Sequence, residues 1–134
     1  MKFSIARVFT LCCIILLFSL ESLAQENTLA SLSPSAYLME RVANEEWILI
    51  DVRTPEEFAE GHIPGAINIP HEEIGNYLAE LEMHKGKPII VYCRSGRRAK
   101  LAMKVLTERS LPEVRHLEGD ILGWSSAGLP LESM

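Results

Sequence analysis

Cys93 is followed by Arg94, Ser95, Gly96, Arg97 and Arg98, which puts three arginines and a glycine within five residues of one sulfur. That composition favours thiolate over thiol, and the thiolate is the nucleophile. Displacement at sulfur needs a thiolate and a positively polarised pocket for an anionic donor and its leaving group. It needs no general base, and the loop contains no histidine. The bland alternative is a small buried hydrophobe closing a strand, which is the usual fate of a free cysteine. The density of positive charge beside the sulfur argues against it.

The elements on either side must hold this loop in place. Before it, Pro88-Ile89-Ile90-Val91-Tyr92 reads as a buried parallel strand. After it, Ala99, Leu101, Ala102, Val105 and Leu106 follow helical spacing, so a helix is expected from about Arg97 to Arg109. A loop between a strand's end and a helix's start gathers backbone N–H donors and partial positive charge.

The same alternation runs along the chain. A short strand at Leu29–Leu32 is followed by a helix, with Ser33 as its cap and Pro34 in its first turn. That helix runs to about Asn44 and is expected to bury Tyr37, Leu38 and Val42. Further strands are expected at 47–52, 66–69 and 114–117. Helices are expected from Pro55 to Gly61 and over about 72–83, with Asp120 capping a last one through Trp124. Such a chain makes a parallel sheet covered on both faces, with ligands at the carboxyl ends of its strands. Cys93 and Asp51-Val52-Arg53 lie at two such ends. An unpaired buried carboxylate is costly, so Asp51 is expected to pair with a loop arginine, the alternative being a solvated strand-end pair. His62, His71, His84 and His116 read as turn or surface residues.

The chain has 134 residues and a net charge of −5, with 48% apolar residues. That suffices for one domain with a real core. No basic stripe exists outside the cysteine loop, which speaks against nucleic acid as a partner. Residues 1–24 read as a cleaved signal peptide: Lys2 and Arg7 precede an apolar run from Val8 to Leu20, and Ser22-Leu23-Ala24 supplies a cleavage site. A membrane span needs about 20 apolar residues, more than this run supplies. Lipoprotein processing does not suit Cys12 and Cys13, which lie early in the run with no small residue before Cys12. The mature chain, 25–134, would then be exported to the periplasm or secreted, with Cys93 as its one cysteine and no internal disulfide.

Read together, Leu49-Ile50-Asp51-Val52-Arg53, Glu57-Phe58, Gly61-His62-Ile63-Pro64-Gly65-Ala66-Ile67-Asn68-Ile69-Pro70, Ile90 to Arg98, and Leu117-Glu118-Gly119 with Gly123-Trp124 occur in the order and spacing of the single-domain rhodaneses. The resemblance spans about Leu32 to Pro130. It departs at Asp120, where many members carry a second glycine, a position expected to lie away from the cysteine. The resemblance implies a three-layer α/β fold with a five-stranded parallel sheet between helices. It implies a sulfurtransferase that takes a sulfane sulfur from thiosulfate or a similar small anion onto Cys93. The persulfide then passes its outer sulfur to cyanide or a thiol, without metal or organic cofactor. Arg94, Ser95, Gly96, Arg97 and Arg98 map onto the loop around the sulfur. Arg94 is expected to face outward and meet the donor. Arg97 or Arg98 is expected to point back, one of them toward Asp51, with Asp51 and Arg53 supporting the site.

Two alternatives remain at this point. One is a sulfur carrier or docking module for another exported protein, with turnover incidental, since a fold does not fix a partner. The other is a cysteine phosphatase or arsenate reductase. Those enzymes use a longer loop around a tetrahedral oxyanion, whereas four residues separate Cys93 from Arg98 here, and no acid for a leaving alcohol stands out. The oligomeric state is not set by the sequence.

Overall fold

The computed structural model describes residues 31–134 apart from Lys85, Ser110 and Pro112. The expected signal peptide lies outside the described residues. Five strands, β1 (Ser31–Leu32), β2 (Ile48–Asp51), β3 (Ile67–Asn68), β4 (Ile89–Tyr92) and β5 (Val114–Leu117), form one sheet in the order β1-β5-β4-β2-β3. Every pairing is parallel. The helices are α1 (Ala36–Ala43), α2 (Pro55–Glu60), α3 (Leu78–Met83), α4 (Arg97–Glu108) and α5 (Asp120–Ser126), with a 3₁₀ turn at Ile74–Tyr77 before α3. The three-layer α/β reading of the sequence is therefore what the chain adopts.

The period of two along the central strand divides the core. Ile89, Val91 and Cys93 face a cluster built with Ala99, Ala102, Met103 and Leu106 of α4 and with Ile74, Leu78 and Leu81. Ile90 and Tyr92 face the opposite cluster, with Leu38 and Val42 of α1 and Ile121 and Trp124 of α5. In α4 the buried positions follow i, i+3, i+4, i+7, the stripe of a helix laid on a sheet. Each fully buried aliphatic side chain here contributes about 1.5–3 kcal/mol of transfer free energy.

Several details differ from expectation. Leu101 faces solvent at 49% exposure, because the buried stripe runs through Met103 instead. Tyr37 is 50% exposed and meets Trp47 edge-on, so α1 buries only Leu38 and Val42. Two serines compete to cap α1. Ser35 wins, accepting the Leu38 N–H, while the Ser33 hydroxyl donates to Glu118 at 2.8 Å. The cap of α5 is Gly119, in left-handed conformation (φ +72), where a Cβ would come within 2.9 Å of Gly123 Cα. Asp120 is thereby freed from capping and its side chain turns elsewhere.

Candidate active site

The carboxyl ends of β2 and β4 carry the sequence-predicted residues, and the register sets them side by side. Asp51 pairs with Tyr92, the residue before Cys93. Cys93 continues the face of β4 that α4 covers and is 1% exposed. The chain then turns through exposed Arg94 and Ser95 to buried Gly96, which adopts φ +110 and caps α4. That turn brings the Gly96 N–H back onto Cys93 Sγ at 3.0 Å. A Cβ at position 96 would sit 3.1 Å from Asp120 Oδ2, so glycine is required for conformation and for space. A sulfur at the N-terminus of α4, with a backbone donor aimed at it, is placed to carry negative charge.

The arginines divide. Arg94 and Arg97 are exposed, and Arg98 is half-buried. Arg98 points back as expected, but toward α2: its guanidinium makes a bidentate pair with Glu57 at 2.6 and 2.9 Å. The expected pairing of a loop arginine with Asp51 is incorrect. Arg53, two residues on from Asp51, reaches that carboxylate first. Its Nη2 lies 2.6 Å from Oδ2, its Nε 3.0 Å from both oxygens, and its backbone N–H donates to Oδ1. Arg53 Nη2 also donates to the Gly61 carbonyl at 2.7 Å. Asp51 is 0% exposed and Arg53 lies over the Tyr92 ring.

These partners shift the titrating groups. The hydrogen bonds from Arg98 hold the Glu57 carboxyl down at about 2, against an opposing push from partial burial. Glu57 in turn raises Arg98, and the Cys93 sulfur adds to that effect. Burial lowers Arg53, but the Asp51 hydrogen bonds and charge more than offset it, so the net shift is upward. Burial, reinforced by Asp51, pushes the Tyr92 phenol well above its usual range while its oxygen accepts the Ile63 N–H at 3.1 Å.

The histidines depart from a uniform surface reading. His62 is buried, stacked on Phe58 with ring centroids 3.7 Å apart and bonded through Nδ1 to the Phe58 carbonyl. His116 is half-buried, with Nε2 3.1 and 3.0 Å from the two oxygens of Asp120. Asp120 is 1% exposed and does not lie away from the cysteine: its Oδ1 accepts the Cys93 N–H at 2.8 Å. Asp120, His116 and Glu57 are the residues that sequence reasoning missed around Cys93. Asp120 gave a signal as the departure from glycine. Glu57 was visible only within the Glu57-Phe58 pair of the resemblance, its reach across 41 residues to Arg98 being invisible.

A hollow of about 490 Å³ lies elsewhere, at the amino-terminal end of β2, lined among others by Trp47, Ile67, Tyr77 and His84. None of the cysteine-loop residues contributes to it. The chemistry-bearing groups lie instead at the carboxyl ends of β2 and β4. Among the described residues no group of three metal-ligating side chains comes together. No described helix is long and apolar enough to cross a membrane.

Residues 35–127 match the model of the rhodanese-like domain. The chain belongs to that family. It is 37% identical over 98 residues to a sulfurtransferase of Allochromatium vinosum, covering 72% of this chain and 90% of that one. It is 38% identical over 77 residues to the thiosulfate sulfurtransferase PspE of Escherichia coli, covering 58% and 72%. Among solved structures, a Rhodopseudomonas palustris protein of unknown function, described as a possible tyrosine phosphatase, superposes with a TM-score of 0.68 at 26% identity, over 78% of this chain and 86% of that one. The family and its sulfurtransferase relatives make this rhodanese-like chain a rhodanese-type transferase.

Proposed function

We propose that the protein transfers sulfane sulfur through a persulfide on Cys93, with thiosulfate or a similar small anion as donor and cyanide or a thiol as acceptor. The observation that carries this is the Cys93 sulfur at the carboxyl end of β4, met by the Gly96 N–H at 3.0 Å in a loop whose Arg94 and Arg97 are exposed. The Cys93 thiolate attacks the outer sulfur of thiosulfate. The new S–S bond forms as the old one breaks, and sulfite leaves with the bonding pair. The backbone donor and the start of α4 then hold the terminal persulfide sulfur as an anion. Attack by cyanide on that outer sulfur yields thiocyanate and returns the thiolate; a thiolate acceptor leaves as its own persulfide. Every step is a displacement at sulfur, with no metal or organic cofactor.

The sulfurtransferase relatives support this reading. The short loop supports it over phosphate chemistry, since the helix begins at Arg97 and leaves a cradle suited to one added atom. Intact mass before and after thiosulfate tests it. A gain of one sulfur on the peptide containing Cys93, removed by cyanide, is expected; no gain refutes it. We also propose that the working form is exported and begins near Gln25, which N-terminal sequencing of the protein recovered outside the cytoplasm checks.

A further inference from the structure

Asp120 sits oddly for a site that should welcome anions. Its carboxylate is buried directly behind the sulfur-bearing residue, accepting the Cys93 N–H at 2.8 Å, while the next amide, of Ile121, donates to the Cys93 carbonyl at 3.1 Å. Asp120 also holds φ +54, a conformation that costs a non-glycine residue free energy and persists only where its surroundings enforce it. A lone carboxylate there opposes a thiolate, a persulfide and an incoming anion alike. Its ionisable partner among the described residues is His116, whose Nε2 faces both of its oxygens. Nε2–H donates to Asp120 whether or not Nδ1 also carries a proton, so the geometry survives titration and only the charge of the pair changes.

We propose that Asp120 and His116 are a positioning pair behind the cysteine loop: Asp120 fixes the Cys93 backbone, and the proton on His116 decides whether that carboxylate repels anionic partners of the sulfur. With the imidazolium present the pair is neutral and anions approach freely. Once Nδ1 releases its proton to solvent, a net negative charge stands behind the sulfur. The pair thus selects between classes of partner, disfavouring anions relative to neutral molecules as pH rises. Groups from several elements stand around His116. Asp120 comes from α5, and uncharged Gly96 from the start of α4. Ser31 of β1 and Val91 of β4 flank it in register. Arg115 turns to Glu113, and Glu118 accepts from Ser33.

This inference rests on Cys93 thiolate being the reacting group, but its test does not require sulfur transfer. The rate of alkylation at Cys93 is measured on the full chain by peptide mass spectrometry, with iodoacetate as the anionic probe and iodoacetamide as the neutral one, at low salt. The ratio of the two rates cancels the thiolate fraction and reads local charge. In the wild type the ratio is expected to fall about three- to tenfold between the acid and the alkaline end of a series measured over about pH 5–8. Asp120→Asn keeps an acceptor for the Cys93 N–H and removes the negative charge while leaving the imidazole, so its ratio should lie above that of the wild type throughout the series. His116→Gln keeps a donor and removes the titration, so the ratio should stay low and flat. A flat wild-type ratio overturns the inference, as does a wild-type fall retained in His116→Gln or an Asp120→Asn ratio no higher than that of the wild type. If Asp120→Asn does not fold, the wild type and His116→Gln decide alone. Absence of sulfur gain from thiosulfate would refute the sulfur-transfer reading without touching this ratio.

Discussion

The carboxyl ends of β2 and β4 lie side by side, and each buries an acid, yet they are built on opposite plans. At β2 the Asp51 carboxylate takes three side-chain bonds and one backbone bond from Arg53, and Asn68 closes the turn by donating to the Asp51 and Arg53 carbonyls. That cluster is complete within itself. At β4 the groups around Cys93 are borrowed from elsewhere: an amide from the start of α4, a carboxylate from α5 and an imidazole from β5. The sulfur meets a backbone donor in a loop that carries two exposed arginines, Arg94 and Arg97. A cluster that satisfies itself can only hold the fold, whereas one that leaves a nucleophile with surplus positive surroundings can bind and react.

The sharpest way to separate the two is to remove each centre. Cys93→Ser is expected to abolish sulfur loading to the uncatalysed background with an unchanged circular dichroism spectrum; loading retained at any fraction of wild type would reassign the nucleophile. Asp51→Ala should do the reverse. It strands a buried guanidinium, and breaking a buried pair costs about 3–5 kcal/mol, read as a drop in denaturant midpoint. The molecules that remain folded should load sulfur normally. Arg94→Ala probes the exposed arginines. It should raise the KM for thiosulfate about three- to tenfold, with little effect on a neutral thiol acceptor, because an exposed charge is worth at most about 1 kcal/mol.

The smallest effect concerns Glu57, which ties α2 to α4 across the mouth of the site. Its carboxyl lies at about 2 when folded against an ordinary 4.5. A depressed carboxyl stabilises the fold above the ordinary value and loses that contribution as pH falls toward about 2. The pair is partly exposed, so about 1 kcal/mol is the expected size. Wild type should therefore exceed Glu57→Gln in stability by that amount above pH 4.5, and the two should converge near pH 2, as urea unfolding across that range would show.

The fold was legible because hydrophobic periodicity and strand–helix alternation are local signals, and the position of Cys93 followed from them. What failed was partner choice. Nothing local told Asp51 to take Arg53 rather than a loop arginine; competition between a neighbour two residues away and one across the sheet is settled by backbone geometry. Nor could sequence distance place His116 and Asp120 behind Cys93, since that requires β5 to lie beside β4, with its turn ending at the same edge. Ser35 displaced Ser33 as a cap for a similar reason: Glu118, 85 residues away, claims the Ser33 hydroxyl.

The pairing of β1 with β5 has a consequence in time rather than space. The sheet's first strand hydrogen-bonds to its last, and β5 lies between β1 and the cysteine strand. Closing a loop of that length carries a large entropic cost before any contact rewards it, and parallel sheets of this kind fold slowly. The carboxylate that fixes the Cys93 amide arrives 27 residues after the cysteine, just beyond β5. A chain still emerging from the ribosome therefore holds Cys93 before the group that fixes its amide. The cysteine loop is held from both sides only when the chain from β5 onward has docked.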